Sequence, residues 1–320
     1  MNTPVICLMG PTASGKTDLA LKLAADFPVE IISVDSALIY RDMNIGTAKP
    51  EADILKRYPH HLIDILNPDE TYSVGRFIEA VNLLIPAIMQ RGKIPLLVGG
   101  TMLYFHALKS GLASLPEADE TIRAEITAQA LVIGWEKMHE KLVKIDPLSA
   151  AKLKPQDPHR ISRALEVYAL TGIPLSLLQS EKTTAPGHAW LNLVLYPQSR
   201  DWLHERIRIR FKTMLDAGLI DEVKTLLTNY PACRDCPSMR SVGYRQVLDY
   251  LTNVGWADKP SKCTCSKKQM SLLGLTAQPT MLQCFLLQHL NNRTQSILII
   301  IMNHQLSFSR TARLYFNPRF

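Results

Sequence analysis

Apolar residues fall in short unbroken runs separated by stretches of helical spacing. Residues 4–9 (Pro-Val-Ile-Cys-Leu-Met) form the first run and stop at a glycine, as a strand covered on both faces of a parallel sheet does. A helix-period pattern follows over 16–27, then a second run over 29–34. Residues 73–91 place Val74, Phe77, Val81, Leu84, Ile85 and Ile88 on one helical stripe that ends at Gly92. A third run, 94–98, leads into Gly99-Gly100-Thr101. Strands alternating with helices predict right-handed βαβ units and an α/β fold with a parallel sheet.

Between about residues 111 and 186 the strand runs give way to helical spacing. Asp157-Pro158 is a helix start, with a carboxylate at the N-cap and proline at N1, and Gly172 followed by Pro174 is a stop. The pattern predicts a helical insertion, residues 113–187, in a discontinuous core made of 1–112 and 188–252. A returning strand at 191–196 and a long helical stretch at 199–227, interrupted at Gly218, rebuild the core.

Composition leaves that picture in place. Of 320 residues, 47% are hydrophobic and 20% charged, which excludes a wholly disordered or collagen-like chain. No apolar run approaches the roughly 18 residues of a membrane-spanning helix. Six irregularly spaced cysteines, with no basic segment ahead of an apolar one at the N-terminus, predict a reducing cytoplasm. Cys233 with Cys236 and Cys263 with Cys265 are close pairs. Neither has a partner pair at zinc-ribbon spacing, so reduced thiols are favoured over a metal site.

Charge changes the picture more. The net charge of +7 suggests a phosphate-rich partner. All 29 acidic residues, however, lie at or before Asp258, and residues 259–320 hold eight basic residues and no carboxylate. Residues 1–258 therefore carry 28 basic against 29 acidic residues. The bulk charge belongs to the tail and says nothing about partners of the core.

The chemistry begins at Gly10-Pro11-Thr12-Ala13-Ser14-Gly15-Lys16-Thr17, which fits G-x-x-x-x-G-K-[ST] between a strand and a helix. Such a loop turns successive N–H groups into one concavity at a helix N-terminus. Lys16 adds a charge and the Thr17 hydroxyl can hold Mg²⁺, so the loop binds a diphosphate or triphosphate. A kinase or ATPase would also place a carboxylate at the end of a neighbouring strand. The 94–98 run ends without one, whereas 31–34 ends in Asp35-Ser36. Asp35 is then a metal-site group, a general base, or a cap on the following turn.

Six ordered strings carry a resemblance: 10–17, Ser-Val-Asp-Ser-Ala-Leu-Ile-Tyr (33–40), Asn-Ile-Gly-Thr-Ala-Lys-Pro (44–50), Leu-Val-Gly-Gly-Thr-Met-Leu-Tyr (97–104), Asp-Pro-His-Arg-Ile-Ser-Arg-Ala-Leu-Glu-Val (157–167) and Ser-Val-Gly-Tyr-Arg-Gln (241–246). Together they resemble the bacterial tRNA dimethylallyltransferases over residues 4 to about 252. The resemblance implies a P-loop NTPase-like core that moves a dimethylallyl group from dimethylallyl diphosphate to N6 of the adenosine at tRNA position 37. It implies Mg²⁺ with Lys16 and Thr17 at the departing diphosphate, Asp35 as proton acceptor for the attacking amine, and Thr101 as a second polar contact. Thr101 also fits as the N-cap of the helix that begins at Met102.

Arg206 and Arg210 are four residues apart on one helix face, and the resemblance assigns Arg210, with Arg206, to the diphosphate. Arg208 alternates with them, so a solvated basic face is the competing reading. The same resemblance assigns tRNA contact to Asp35, Ser36, Ala37 and Leu38, to Thr101 and Arg123, to Gln156, Asp157, Pro158, His159 and Arg160, and to Arg240, Ser241, Val242, Gly243, Tyr244 and Arg245. Arg160, Arg163, Arg240 and Arg245 suit phosphates of an anticodon stem-loop. The expected protein is a cytoplasmic monomer. Two other functions stay open: a P-loop kinase of small metabolites that uses ATP, and an inactive tRNA-binding remnant. Residues 253–320 lack the basic helix that continues the family and read as an atypical tail from a shifted reading frame or a disrupted gene.

Overall fold

The computed structural model describes residues 4–111, 113, 115–180, 187–197, 199–253, 295–302 and 314–315. Cys263, Cys265 and the basic string at 266–270 lie outside the described residues. The chain divides into two compact units, Met1–Phe105 with Gly187–Phe320, and His106–Pro186.

In the first unit the elements follow one another as β1 (Val5–Met9), α1 (Lys16–Asp26), β2 (Val29–Val34), α2 (Ala52–Arg57), β3 (His60–His61), α3 (Val74–Gln90), β4 (Ile94–Gly99) and α4 (Met102–Ser110), the last of which runs into the second unit. The runs in β1, β2 and β4 are buried because helices cover both faces: Cys7, Leu8, Ile32, Leu96 and Leu97 are all 0% exposed. Ser73 starts α3 by accepting the Arg76 N–H on its hydroxyl. Pro86 stands inside this helix.

The second unit is helical. Its elements are α5 (Glu120–Ile133), α6 (Trp135–Ile145), α7 (Pro147–Ala150), α8 (Pro158–Thr171) and α9 (Leu175–Ser180). Asp157 caps α8 through the Arg160 N–H, and Gly172 ends it at φ 68°. Ile126, Met138, Leu142, Ile161 and Ala164 form the core of the unit.

The first unit resumes with β5 (Trp190–Pro197), α10 (Arg200–Asp216), α11 (Leu219–Asn229), α12 (Tyr244–Asn253), β6 (Gln295–Met302) and β7 (Leu314–Tyr315). Gly218, at φ 98°, separates α10 from α11. The strand order is β3-β2-β4-β1-β5-β6-β7, parallel up to β6, with β7 antiparallel. β6 extends the sheet beside β5, so part of the tail that shows no turn or cap framework in sequence takes a place in the fold.

Register decides where a ligand can go. Met9 pairs with Gly99 and Val34 pairs with Gly99, which levels the carboxyl ends of β1, β4 and β2. The residues that follow, Gly10, Gly100 and Asp35, therefore open at one edge, where open α/β sheets hold their ligands. Gly99 is needed for that closure, since a Cβ there would lie 1.9 Å from the Val34 carbonyl oxygen.

Candidate active site

The loop from Gly10 to Thr17 turns through left-handed backbone at Ala13 (φ 62°) and Gly15 (φ 81°) before α1 begins. A Cβ on Gly10 would stand 2.8 Å from the Ser14 hydroxyl and 2.9 Å from the Leu195 carbonyl, so only glycine fits the start of the loop. The Lys16 ammonium donates to the Pro11 carbonyl at 2.6 Å. Burial lowers its pKa from 10.5 to about 8, against the pull of the Asp35 carboxylate and with a further push from Arg210. Three charges of this triad thus act on one another in one crevice of about 390 Å³.

Asp35 follows β2 and binds its own turn, accepting the Ala37 N–H at 2.8 Å on one carboxylate oxygen. The cap reading and a role in the crevice hold together, because the other oxygen is left for a ligand. Thr101 receives the Ser36 N–H on its hydroxyl at 3.2 Å, while its backbone carbonyl accepts the Phe105 N–H at the start of α4. It therefore ties the end of β2 to the end of β4, and its place before α4 rests on its backbone carbonyl.

α10 resolves the arginines. Arg206 Nε donates to the Ala13 carbonyl at 2.8 Å and Arg210 donates to the Thr47 carbonyl at 3.2 Å, and both line the crevice. Arg208 instead forms a two-point pair with Glu205 on the exposed side. A uniformly solvated basic face is therefore not what α10 presents: the helical period splits it into a crevice pair and an outward salt bridge. Burial also lowers the pKa of Arg210, with Asp35 opposing. Pro11, Thr12, Ser14 and Thr17 complete the loop, and Thr17 is exposed toward solvent at the crevice.

The expected RNA contacts divide by exposure. Ser36, Arg123, Gln156, His159, Arg160, Arg240, Val242 and Arg245 are exposed, and Ala37, Leu38, Asp157, Pro158 and Ser241 are half-buried. Arg123 and Arg163 both pair with Glu166, whose side chain is 0% exposed, so Arg163 serves the interior of the helical unit and not a phosphate. Burial pushes the Glu166 carboxyl up, but bonds from Arg163 and the Asp119 N–H, with the Arg123 charge, hold it below its ordinary value.

Tyr244 departs most from its expected place. It is 0% exposed, and its hydroxyl donates to Glu222 at 2.6 Å. Gly243 is buried beside it. Packing against Phe211, Leu219 and Val247 in one apolar cluster explains the burial, and it leaves Arg240, Val242 and Arg245 as the solvent-exposed members of the 240–245 string.

Three residues escape sequence reasoning. Glu222 accepts the N–H groups of Asn44 (3.0 Å), Ile45 (2.7 Å) and Gly46 (3.2 Å) and so fixes the loop that presents Thr47 to Arg210. No local signal marks it, since its partners are about 177 positions away. His60 lines the crevice with its Nδ1 2.6 Å from the Tyr58 carbonyl, and burial lowers its pKa. Ser33 lines it too, on the same strand face as Asp35 two residues on, a relation that strand alternation alone could have shown.

Residues 38–273 match the family model described as IPP transferase, and residues 3–64 match that described as isopentenyl transferase. A tRNA dimethylallyltransferase of Legionella pneumophila (strain Lens) is 55% identical over 251 residues, 78% of this chain and 80% of that protein. One from Nitrosomonas europaea is 46% identical over 308 residues, 96% of this chain and 97% of its own length. The crystal structure of the full-length tRNA isopentenylpyrophosphate transferase from Bacillus halodurans gives a TM-score of 0.57 at 32% identity, covering 94% of this chain and 92% of that one. The family-model and Nitrosomonas matches reach past residue 252, beyond the ordered strings quoted above. With a family model matched across most of its length and relatives this similar, the chain belongs to the IPP transferase family, whose members named here are tRNA prenyltransferases.

Proposed function

We propose that the protein transfers the dimethylallyl group from dimethylallyl diphosphate to N6 of adenosine 37 of tRNA, beside the anticodon, acting with Mg²⁺ as a cytoplasmic monomer. The observation that carries the reading is the crevice that joins a phosphate-binding loop, Lys16 and two arginines to a carboxylate on the neighbouring strand. The cationic side suits a diphosphate leaving group, and the carboxylate suits a proton acceptor. Leu38, Ile63 and Val98 supply apolar wall for a short hydrocarbon.

The adenine N6 lone pair forms a bond to the allylic carbon as the carbon–oxygen bond to diphosphate breaks, and the electron pair leaves with diphosphate. The N6 proton passes to Asp35, while Lys16, Arg206, Arg210 and the loop N–H groups hold the growing negative charge. Thr17 lines the same crevice and offers a hydroxyl oxygen of the kind that Mg²⁺ takes alongside phosphate oxygens, so the residues present fit that cation. When bound, Mg²⁺ would neutralise charge on the departing diphosphate. On the RNA side, the target base leaves its stack to reach the crevice, and Arg160, Arg240 and Arg245 offer charge to the backbone.

Membership of the IPP transferase family favours prenyl transfer over the ATP-dependent kinase. The test is incubation with unmodified tRNA and labelled dimethylallyl diphosphate, with and without Mg²⁺, followed by mapping of the label. Magnesium-dependent label on adenosine 37 is expected. Binding of tRNA without incorporation would return the inactive remnant, and label on another nucleotide would overturn the assigned position.

A further inference from the structure

Among the described residues three buried side-chain atoms lack a hydrogen-bond partner: Ser14 Oγ, Ser33 Oγ and Asn82 Oδ1. Asn82 lies in α3, but Ser14 and Ser33 both line the crevice. A buried hydroxyl without a partner destabilises the fold, and native proteins retain few of them. Two on the walls of one cavity mark where polar atoms of a ligand belong. Ser14 is part of the phosphate-binding loop, whereas Ser33 has no assigned role.

Ser33 is the next-to-last residue of β2 and is only 3% exposed. Side chains alternate along a strand, so Ile31, Ser33 and Asp35 share a face, and all three line the crevice. Ser33 thus lies one step before Asp35 on that face, in the crevice that Lys16 and Thr17 also line. A hydrocarbon cannot satisfy the Ser33 hydroxyl, whereas the oxygen-rich end of a substrate can, even with the apolar Val98 paired beside it on β4. Resting on the function proposed above, we infer that Ser33 is a binding residue for the diphosphate–Mg²⁺ end of the substrate. Its hydroxyl donates to a diphosphate oxygen or to a water carried by the cation.

The inference makes the two effects of one substitution run in opposite directions. Ser33→Ala removes an unpaired polar atom from the free protein and a hydrogen bond from the complex. Thermal unfolding of the free protein and calorimetric titration with magnesium pyrophosphate measure both, with Lys16→Ala as the reference for loss of diphosphate binding. Expected are a melting temperature equal to or above that of the unsubstituted protein and pyrophosphate binding about tenfold weaker, as loss of a hydrogen bond to a charged group gives. Binding within about twofold of the unsubstituted protein, while Lys16→Ala loses it, would overturn the role of Ser33 and leave the crevice reading intact. A lowered melting temperature would overturn it too, by showing that the hydroxyl serves the fold. Failure of the unsubstituted protein to bind magnesium pyrophosphate would sink this inference together with the reading on which it rests.

Discussion

Lys16 is the residue whose protonation most directly sets what the crevice can hold. Its pKa falls from 10.5 to about 8 in the folded protein, chiefly through burial. Between those values the unfolded chain binds a proton that the folded chain lacks, so this group makes stability rise with pH across the window from about 8 to 10.5. Binding a diphosphate demands the opposite state, the charged one. Affinity for pyrophosphate should therefore weaken as pH rises above about 8, and Lys16→Arg, which stays charged, should lose that part of the dependence. Titration calorimetry of the two proteins across pH 7–10 would check it. Equal profiles would mean that the lysine does not carry the binding charge.

At the scale of elements, α10 and the loop at 43–49 make the arginine-bearing side of the crevice. Arg210 is held by the Thr47 carbonyl, and Arg208 points outward to Glu205. Arg210→Ala should weaken pyrophosphate binding at least about tenfold, while Arg208→Ala should leave it within about twofold, an exposed pair contributing little. Similar losses in both would contradict the split of the helix. The loop is equally constrained, because a Cβ on Gly46 would lie 2.5 Å from the Tyr244 ring. Gly46→Ala is expected to destabilise the protein by about 1–3 kcal/mol in denaturant unfolding. An unchanged midpoint would show that the loop is not packed as described.

The same elements show what could be read from residues in order along the chain. Ser73, Asp157, Gly172 and Gly218 mark helix ends because caps and left-handed glycines act within a few residues, and all four do so here. The loop at 10–17 and Asp35 were legible for the same reason: their chemistry follows from a local pattern after a strand. Glu222 was not, since its partners at 44–46 meet it only once the chain has folded. Tyr244 likewise resembled a contact residue in its string, but its burial depends on α10 and α11, which sequence spacing does not bring together.

At the scale of the whole molecule, net charge is a poor guide to its partner. Residues 1–258 nearly balance, with 28 basic against 29 acidic residues, so under the proposed function attraction to RNA would come from local groups such as Arg160, Arg240 and Arg245. Relatives and fold point to tRNA prenyl transfer, and the crevice gathers the cations and the carboxylate that the proposed reaction needs. Asp35 is the residue on which that account turns. The most direct measurement compares single-turnover transfer of labelled dimethylallyl group to unmodified tRNA by the unsubstituted protein and Asp35→Ala, with tRNA binding measured on the same samples. Transfer by the former, and loss of at least about a hundredfold in rate with tRNA binding retained in the latter, is predicted for a positioned proton acceptor. Equal rates in the two proteins would contradict it.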